Sequence, residues 1–63
     1  MIKAIIVDDE ERARSGLRQL LELVAPEVDV VARCANIPDA VIAINQHQPE
    51  VVFLDVEMPQ YSG

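Results

Sequence analysis

Three carboxylates in two places hold the chemistry open to this chain. Asp8 and Asp9 follow the apolar run Ile5-Ile6-Val7, and Asp55 follows Val51-Val52-Phe53-Leu54. An ionised carboxylate is costly to desolvate, so an acid that closes a buried apolar run needs a partner or a task. In open α/β sheets ligands bind just beyond the carboxyl ends of the strands, and all three acids stand at such ends. Brought together, they repel one another, and a hard divalent cation reverses that penalty. Mg²⁺ takes a few carboxylates plus water and a phosphate oxygen, which suits an acid pair facing a third acid. With the cation bound, Asp55 can attack a phosphoryl group and form an aspartyl phosphate, the metal neutralising the developing charge. Alone, Asp8-Asp9-Glu10-Glu11 is more commonly a solvated helix start, and a single Asp after a strand is commonly a turn residue. The conjunction is more specific: both apolar runs end in acids, and Met58-Pro59 shapes the loop after Asp55.

Positioning three acids in this way requires a parallel sheet. Val51–Leu54, set between Pro49 and Pro59, reads as a strand buried on both faces, as does the β-branched run Ile2–Val7. Helical spacing over 10–25 puts Ala13, Leu17, Leu20, Leu21 and Val24 on one side and Arg12, Arg14, Arg18 and Glu22 largely on the other, solvated side. Asp9 is the expected N-cap, Pro26 the stop, and close packing on the sheet the expected reason for Gly16. Val28–Cys34 forms the next strand, with Asp29 marking an edge or a solvated beginning. Asn36 caps a second helix, with Pro38 in its first turn and Asp39 on its dipole. Ala40, Val41 and Ile44 mark its buried face, and 45–48 fray into Pro49. The order is strand, helix, strand, helix, strand. Right-handed crossovers with the second and third strands on either side of the first give the order 2-1-3. Its switch point lies between strands 1 and 3, where Asp8, Asp9 and Asp55 meet.

Bulk properties set the outer bounds. Sixty-three residues make one small domain, burying about 60% of its unfolded surface. With 51% hydrophobic residues, one Tyr, one Phe and no Trp, the core is aliphatic and the chain is globular rather than disordered. The formal charge of −6 disfavours direct contact with nucleic acid and fits a cation or a basic surface. Cys34 is the sole cysteine, which excludes a disulfide framework and a Cys-based zinc site and suits a reducing compartment. No run approaches the roughly 18 apolar residues of a membrane span, and Ile5-Ile6-Val7 is too short for a signal-peptide core, so a cytoplasmic protein is expected. His47 reads as a solvated helix residue, Tyr61 as a loop residue, and Cys34 as inert packing at a strand end.

The runs Ile5-Ile6-Val7-Asp8-Asp9-Glu10 and Val52-Phe53-Leu54-Asp55-Val56-Glu57-Met58-Pro59 resemble the receiver domain of bacterial two-component response regulators. The resemblance implies a flavodoxin-like (CheY-like) doubly wound α/β fold, of which residues 1–63 would be the first half. It implies Asp55 as the phosphoacceptor, a sensor histidine kinase as donor, and no turnover enzyme in the usual sense. It also implies Mg²⁺ held by Asp8 and Asp9, one through water, with Asp55 and the backbone carbonyl of Glu57. Gly63 matches the glycine that closes this loop. Glu10-Glu11-Arg12-Ala13-Arg14 with Gly16-Leu17 is similar to regulators with a LytTR-type DNA-binding output domain, so any DNA contact is expected through that domain alone. Gln60 stands where a glycine is common in the family. Full receivers add a Ser or Thr from strand 4 and a Lys from strand 5, which this sequence lacks. Lys3 cannot replace the latter, since roughly 16 Å of strand separates it from Asp8. Impaired phosphoryl transfer is therefore expected, as is self-association or pairing through the outer edge of the third strand. Two alternatives stand beside this one. A non-catalytic assembly would retain only the metal site. A haloacid-dehalogenase-type phosphatase would place two acids as Asp-x-Asp after one strand, whereas Asp8 and Asp9 are adjacent and Asp55 is alone.

Overall fold

The computed structural model describes residues 1–55. It contains β1 (Ile2–Val7), α1 (Glu11–Val24), β2 (Val28–Cys34), α2 (Ile37–His47) and β3 (Val51–Leu54). The strands form one parallel sheet in the order β2-β1-β3, the doubly wound arrangement that the alternation of strands and helices predicts. β1 is the interior strand, and Ala4, Ile5, Ile6 and Val7 are consecutively buried. Four buried residues in a row require cover on both faces of the sheet. Ile5 and Val7 form a core with Cys34, Ala40 and Ala43, beneath α2. Side chains alternate along a strand, so Ile6 turns to the other face, where it lines a groove together with Ala13 and Leu17 of α1. Between Ala4 and Ile5 the β1–β2 register shifts, Ala4 pairing with Val30 and Ile5 with Ala32, so Val31 is the extra residue of a bulge.

The first helix departs from its sequence pattern in three ways. Asp9 is not its N-cap. Glu10 holds that position without a side-chain cap bond, and Asp8 Oδ1 accepts from the Glu10 N–H at 3.0 Å. That side-chain bond turns the chain one residue earlier than expected and delays the helix to Glu11. Second, the line against the sheet is narrow: Leu21 is buried and Arg14 and Leu17 are half-buried, while Ala13, Leu20 (52%) and Val24 (67%) are exposed. Positions 14, 17 and 21 share one helical stripe, so the apolar face read from the sequence was rotated towards solvent. Third, Gly16 packs against nothing, because an added Cβ there meets no atom within 4 Å. Gly16→Ala is therefore expected to stabilise the fold by up to about 1 kcal/mol, raising the urea midpoint. An unchanged or lowered midpoint would contradict it. The helix closes at Val24, since Ala25 precedes Pro26 and is pushed out of the helical region.

The second helix starts as expected: Asn36 Oδ1 accepts from the Asp39 N–H at 2.8 Å, and Asn36 Nδ2 donates to Asp39 Oδ2 at 3.2 Å. Its buried residues are Ala40 and Ala43 rather than Val41 and Ile44, which are exposed. Two alanines one turn apart carry nothing beyond Cβ, so the helix backbone settles close over Ile5, Val7 and Cys34. Its end does not fray. The helix runs to His47, and Gln48 closes it in the left-handed region (φ 49), donating its N–H to the Ile44 carbonyl at 2.8 Å. β3 is less covered than its apolar run suggests, with Val51, Val52 and Leu54 exposed and Phe53 half-buried. Among the described residues β3 pairs only with β1 and neither helix packs on it, which accounts for the difference. No helix among the described residues is long and apolar enough to cross a membrane.

Candidate functional site

Register fixes the backbone of the acids before any side chain acts. Val7 pairs with Cys34 on one side and with Leu54 on the other, so Asp8 and Asp55 fall one residue beyond the last paired positions. The ladder continues through them: the Asp8 N–H donates to the Cys34 carbonyl and the Asp55 N–H donates to the Val7 carbonyl, each at 3.0 Å. Asp8, Asp9 and Asp55 each bring a carboxylate oxygen to within 4.8 Å of the others. Asp8 and Asp55 are half-buried and Asp9 is exposed. The structure thus brings together the three acids that the sequence singles out. Glu57, Met58, Pro59, Gln60, Tyr61 and Gly63 lie outside the described residues.

A groove of about 340 Å³ opens beside the acids, with Asp8 and Asp55 at one end and Ala13, Leu17 and Phe53 along its walls. It gives a small charged group access to Asp55 from the side of α1.

The donor set fits Mg²⁺. All three side chains offer hard anionic oxygens, and ligand oxygens on opposite sides of octahedral Mg²⁺ are about 4 Å apart. A 4.8 Å span is close to that size, and the exposure of Asp9 leaves room for a water between it and an ion.

One residue at the site was misassigned from the sequence. Arg14 does not lie on the solvated face of α1. It is half-buried, and its guanidinium donates from Nη1 to the backbone carbonyl of Asp8 at 2.6 Å. The signal was present in its spacing, three and seven residues before Leu17 and Leu21 on one stripe. Arg18, by contrast, sits on the exposed side and pairs with Glu22 at 3.3 Å, a surface contact worth about 0.3–0.5 kcal/mol.

The remaining polar candidates are elsewhere or inert. Burial pushes the Cys34 thiol up from its ordinary range, Asp39 adding to the effect and Arg14 opposing it, so Cys34 is a packed thiol as expected. Lys3 pairs in register with Asp29 at the amino end of the sheet, and His47 ends the helix that leads into the start of β3. Both lie away from the carboxyl edge where the acids meet.

Comparison with known proteins agrees with this geometry. The family model for the response regulator receiver domain matches residues 4–63. The transcriptional regulatory protein BtsR of Salmonella typhi is 46% identical over all 63 residues, and BtsR of Escherichia coli K12 is 41% identical over the same span. A response regulatory protein of Yersinia pestis, itself uncharacterized, is 46% identical. The chain spans about 26% of the length of each of these relatives. With parallel strands in the order β2-β1-β3 and acids closing two of them, the chain belongs to the response regulator receiver domain family.

Proposed function

We propose that this chain is a phosphoacceptor module in which Asp55 receives a phosphoryl group from the phosphohistidine of a sensor histidine kinase. Asp8, Asp9 and Asp55 would hold Mg²⁺, with the Glu57 backbone carbonyl as a further ligand. The observation that carries this proposal is the convergence of three carboxylate oxygens within 4.8 Å at the carboxyl edge of the sheet. In the transfer, an oxygen of Asp55 forms a bond to phosphorus as the phosphorus–nitrogen bond of the donor breaks; with the donor's other ring nitrogen carrying a proton, a neutral imidazole leaves and an aspartyl phosphate remains. The ladder bond from the Asp55 N–H to Val7 fixes the backbone of the nucleophile, so attack needs only side-chain adjustment. When bound, Mg²⁺ supplies positive charge that offsets the acids and the transferring oxygens.

The relatives named as transcriptional regulatory proteins support an output directed at gene expression, delivered by a separate domain rather than by this acidic chain. A cytoplasmic setting suits that role. Incubation with Mg²⁺ and acetyl phosphate, followed by intact-mass measurement, tests the proposal. A single phosphate adduct, at partial yield in keeping with impaired transfer, is expected with Mg²⁺ and none with excess EDTA. No adduct, or the same yield in EDTA, would contradict it.

A further inference from the structure

We propose that Arg14 is a positioning residue that latches the turn between β1 and α1, and so sets the affinity of the acid pair for a divalent cation without touching the ion. This inference rests on the proposal that the acids hold Mg²⁺.

Asp8 is held at three points. Its N–H donates to Cys34 of β2, its Oδ1 accepts from the Glu10 N–H, and its carbonyl accepts from Arg14 at 2.6 Å. The first two bonds act along the strand and within the turn. Of these three, only the third ties Asp8 itself to the body of α1, alongside the backbone bond from the Arg14 N–H to the Glu10 carbonyl. A charged guanidinium bonded to a carbonyl gives a short, directional contact, and this one is half-buried and so less exposed to competition from water. Without it, the Asp8-Asp9 peptide is held only by the strand ladder and by the Asp8 Oδ1 bond within the turn, at a helix start that has no side-chain cap. Outer contacts that orient metal ligands commonly alter affinity by about 10–100-fold.

Charge alone predicts the opposite sign. Arg14 brings a cation towards three carboxylates, so its removal would strengthen binding of Mg²⁺ if electrostatics ruled. A latch predicts weaker binding. Arg14→Met keeps an aliphatic stem and removes both charge and donors. Arg14→Lys keeps the charge and one flexible donor. Arg18→Met removes the same charge from the exposed side of the helix.

Calorimetric titration with Mg²⁺ alone compares the parent with these three variants and with Asp8→Asn, while circular dichroism without metal reports folding. Arg14→Met is expected to bind about tenfold more weakly than the parent. Arg14→Lys should fall between them, and Arg18→Met should match the parent. Binding by Arg14→Met equal to or tighter than the parent overturns the latch, as does an equal loss in Arg18→Met. Should Arg14→Met be unfolded, Arg14→Lys decides: weaker binding than the parent supports the latch, and equal binding overturns it. A parent without Mg²⁺ binding that Asp8→Asn removes would defeat the metal site itself, and the latch with it. Parent binding that Arg14→Met leaves intact defeats the latch alone.

Discussion

Asp8→Asn is expected to weaken Mg²⁺ binding by at least about tenfold while the chain stays folded. The substitution preserves shape and retains an oxygen for the Glu10 N–H, and the bonds of the Asp8 backbone to Cys34 and Arg14 are untouched. What disappears is one unit of negative charge from a half-buried oxygen that lies within 4.8 Å of its two fellow ligands. A unit charge pair at 4 Å is worth about 4 kcal/mol at an effective dielectric of about 20. A tenfold change in affinity needs only about 1.4 kcal/mol, so the loss survives a large offset from the lower desolvation cost of Asn. Asp9→Asn should cost less, because Asp9 is exposed and water screens its charge. Calorimetric titration of both variants checks the magnitude and the order. Unchanged binding in Asp8→Asn would remove Asp8 from the site.

Ile5→Ala is expected to remove a large share of the chain's stability and to lower its melting temperature sharply. Ile5 is fully buried at the centre of the interior strand and packs with Val7, Cys34, Ala40 and Ala43. Removing it costs about 2–5 kcal/mol, as lost burial and as a cavity beneath two alanines that have no side chain with which to refill it. At roughly 0.05–0.15 kcal/mol per residue, a chain of 63 residues has about 3–9 kcal/mol in all. The loss is therefore of the same order as the stability. Ile5→Val should fold, at a cost of about 0.5–1.5 kcal/mol. Thermal melts followed by circular dichroism distinguish the two, and a parent-like cooperative melt for Ile5→Ala would contradict the central placement of this side chain.

Sequence alone specified the order of elements, the strand order and the meeting of the acids, because each depends on short strong signals. Apolar runs marked β1 and β3 as strands, and right-handed crossovers with β2 and β3 on either side of β1 give the observed order, with Ala4-Ile5-Ile6-Val7 the buried run of the interior strand. Asp8 and Asp55 follow from strand ends and need no knowledge of packing. Helix faces were less legible. α1 has more apolar residues than its contact line with the sheet can cover, so hydrophobic spacing alone assigned Leu20 and Val24 to the core and Arg14 to solvent. In α2 the pattern favoured the bulky Val41 and Ile44, whereas close approach to the sheet selected Ala40 and Ala43. The N-cap was misread for a similar reason. Asp8 and Asp9 are equivalent as cap residues in composition, and only three-dimensional placement directs Asp8 Oδ1 to the Glu10 N–H. Local chemistry was readable, while competition between neighbouring residues for one contact was not.

The central claim is that Asp55 is the phosphorylated residue, and reductive trapping tests it most directly. Borohydride reduces an aspartyl phosphate to homoserine, which peptide sequencing by mass spectrometry locates to a single position. After treatment with Mg²⁺ and acetyl phosphate, homoserine is expected at position 55 and nowhere else. Homoserine at position 8 or 9, or phosphate retained on His47 or Tyr61 with Asp55 unmodified, would contradict the assignment.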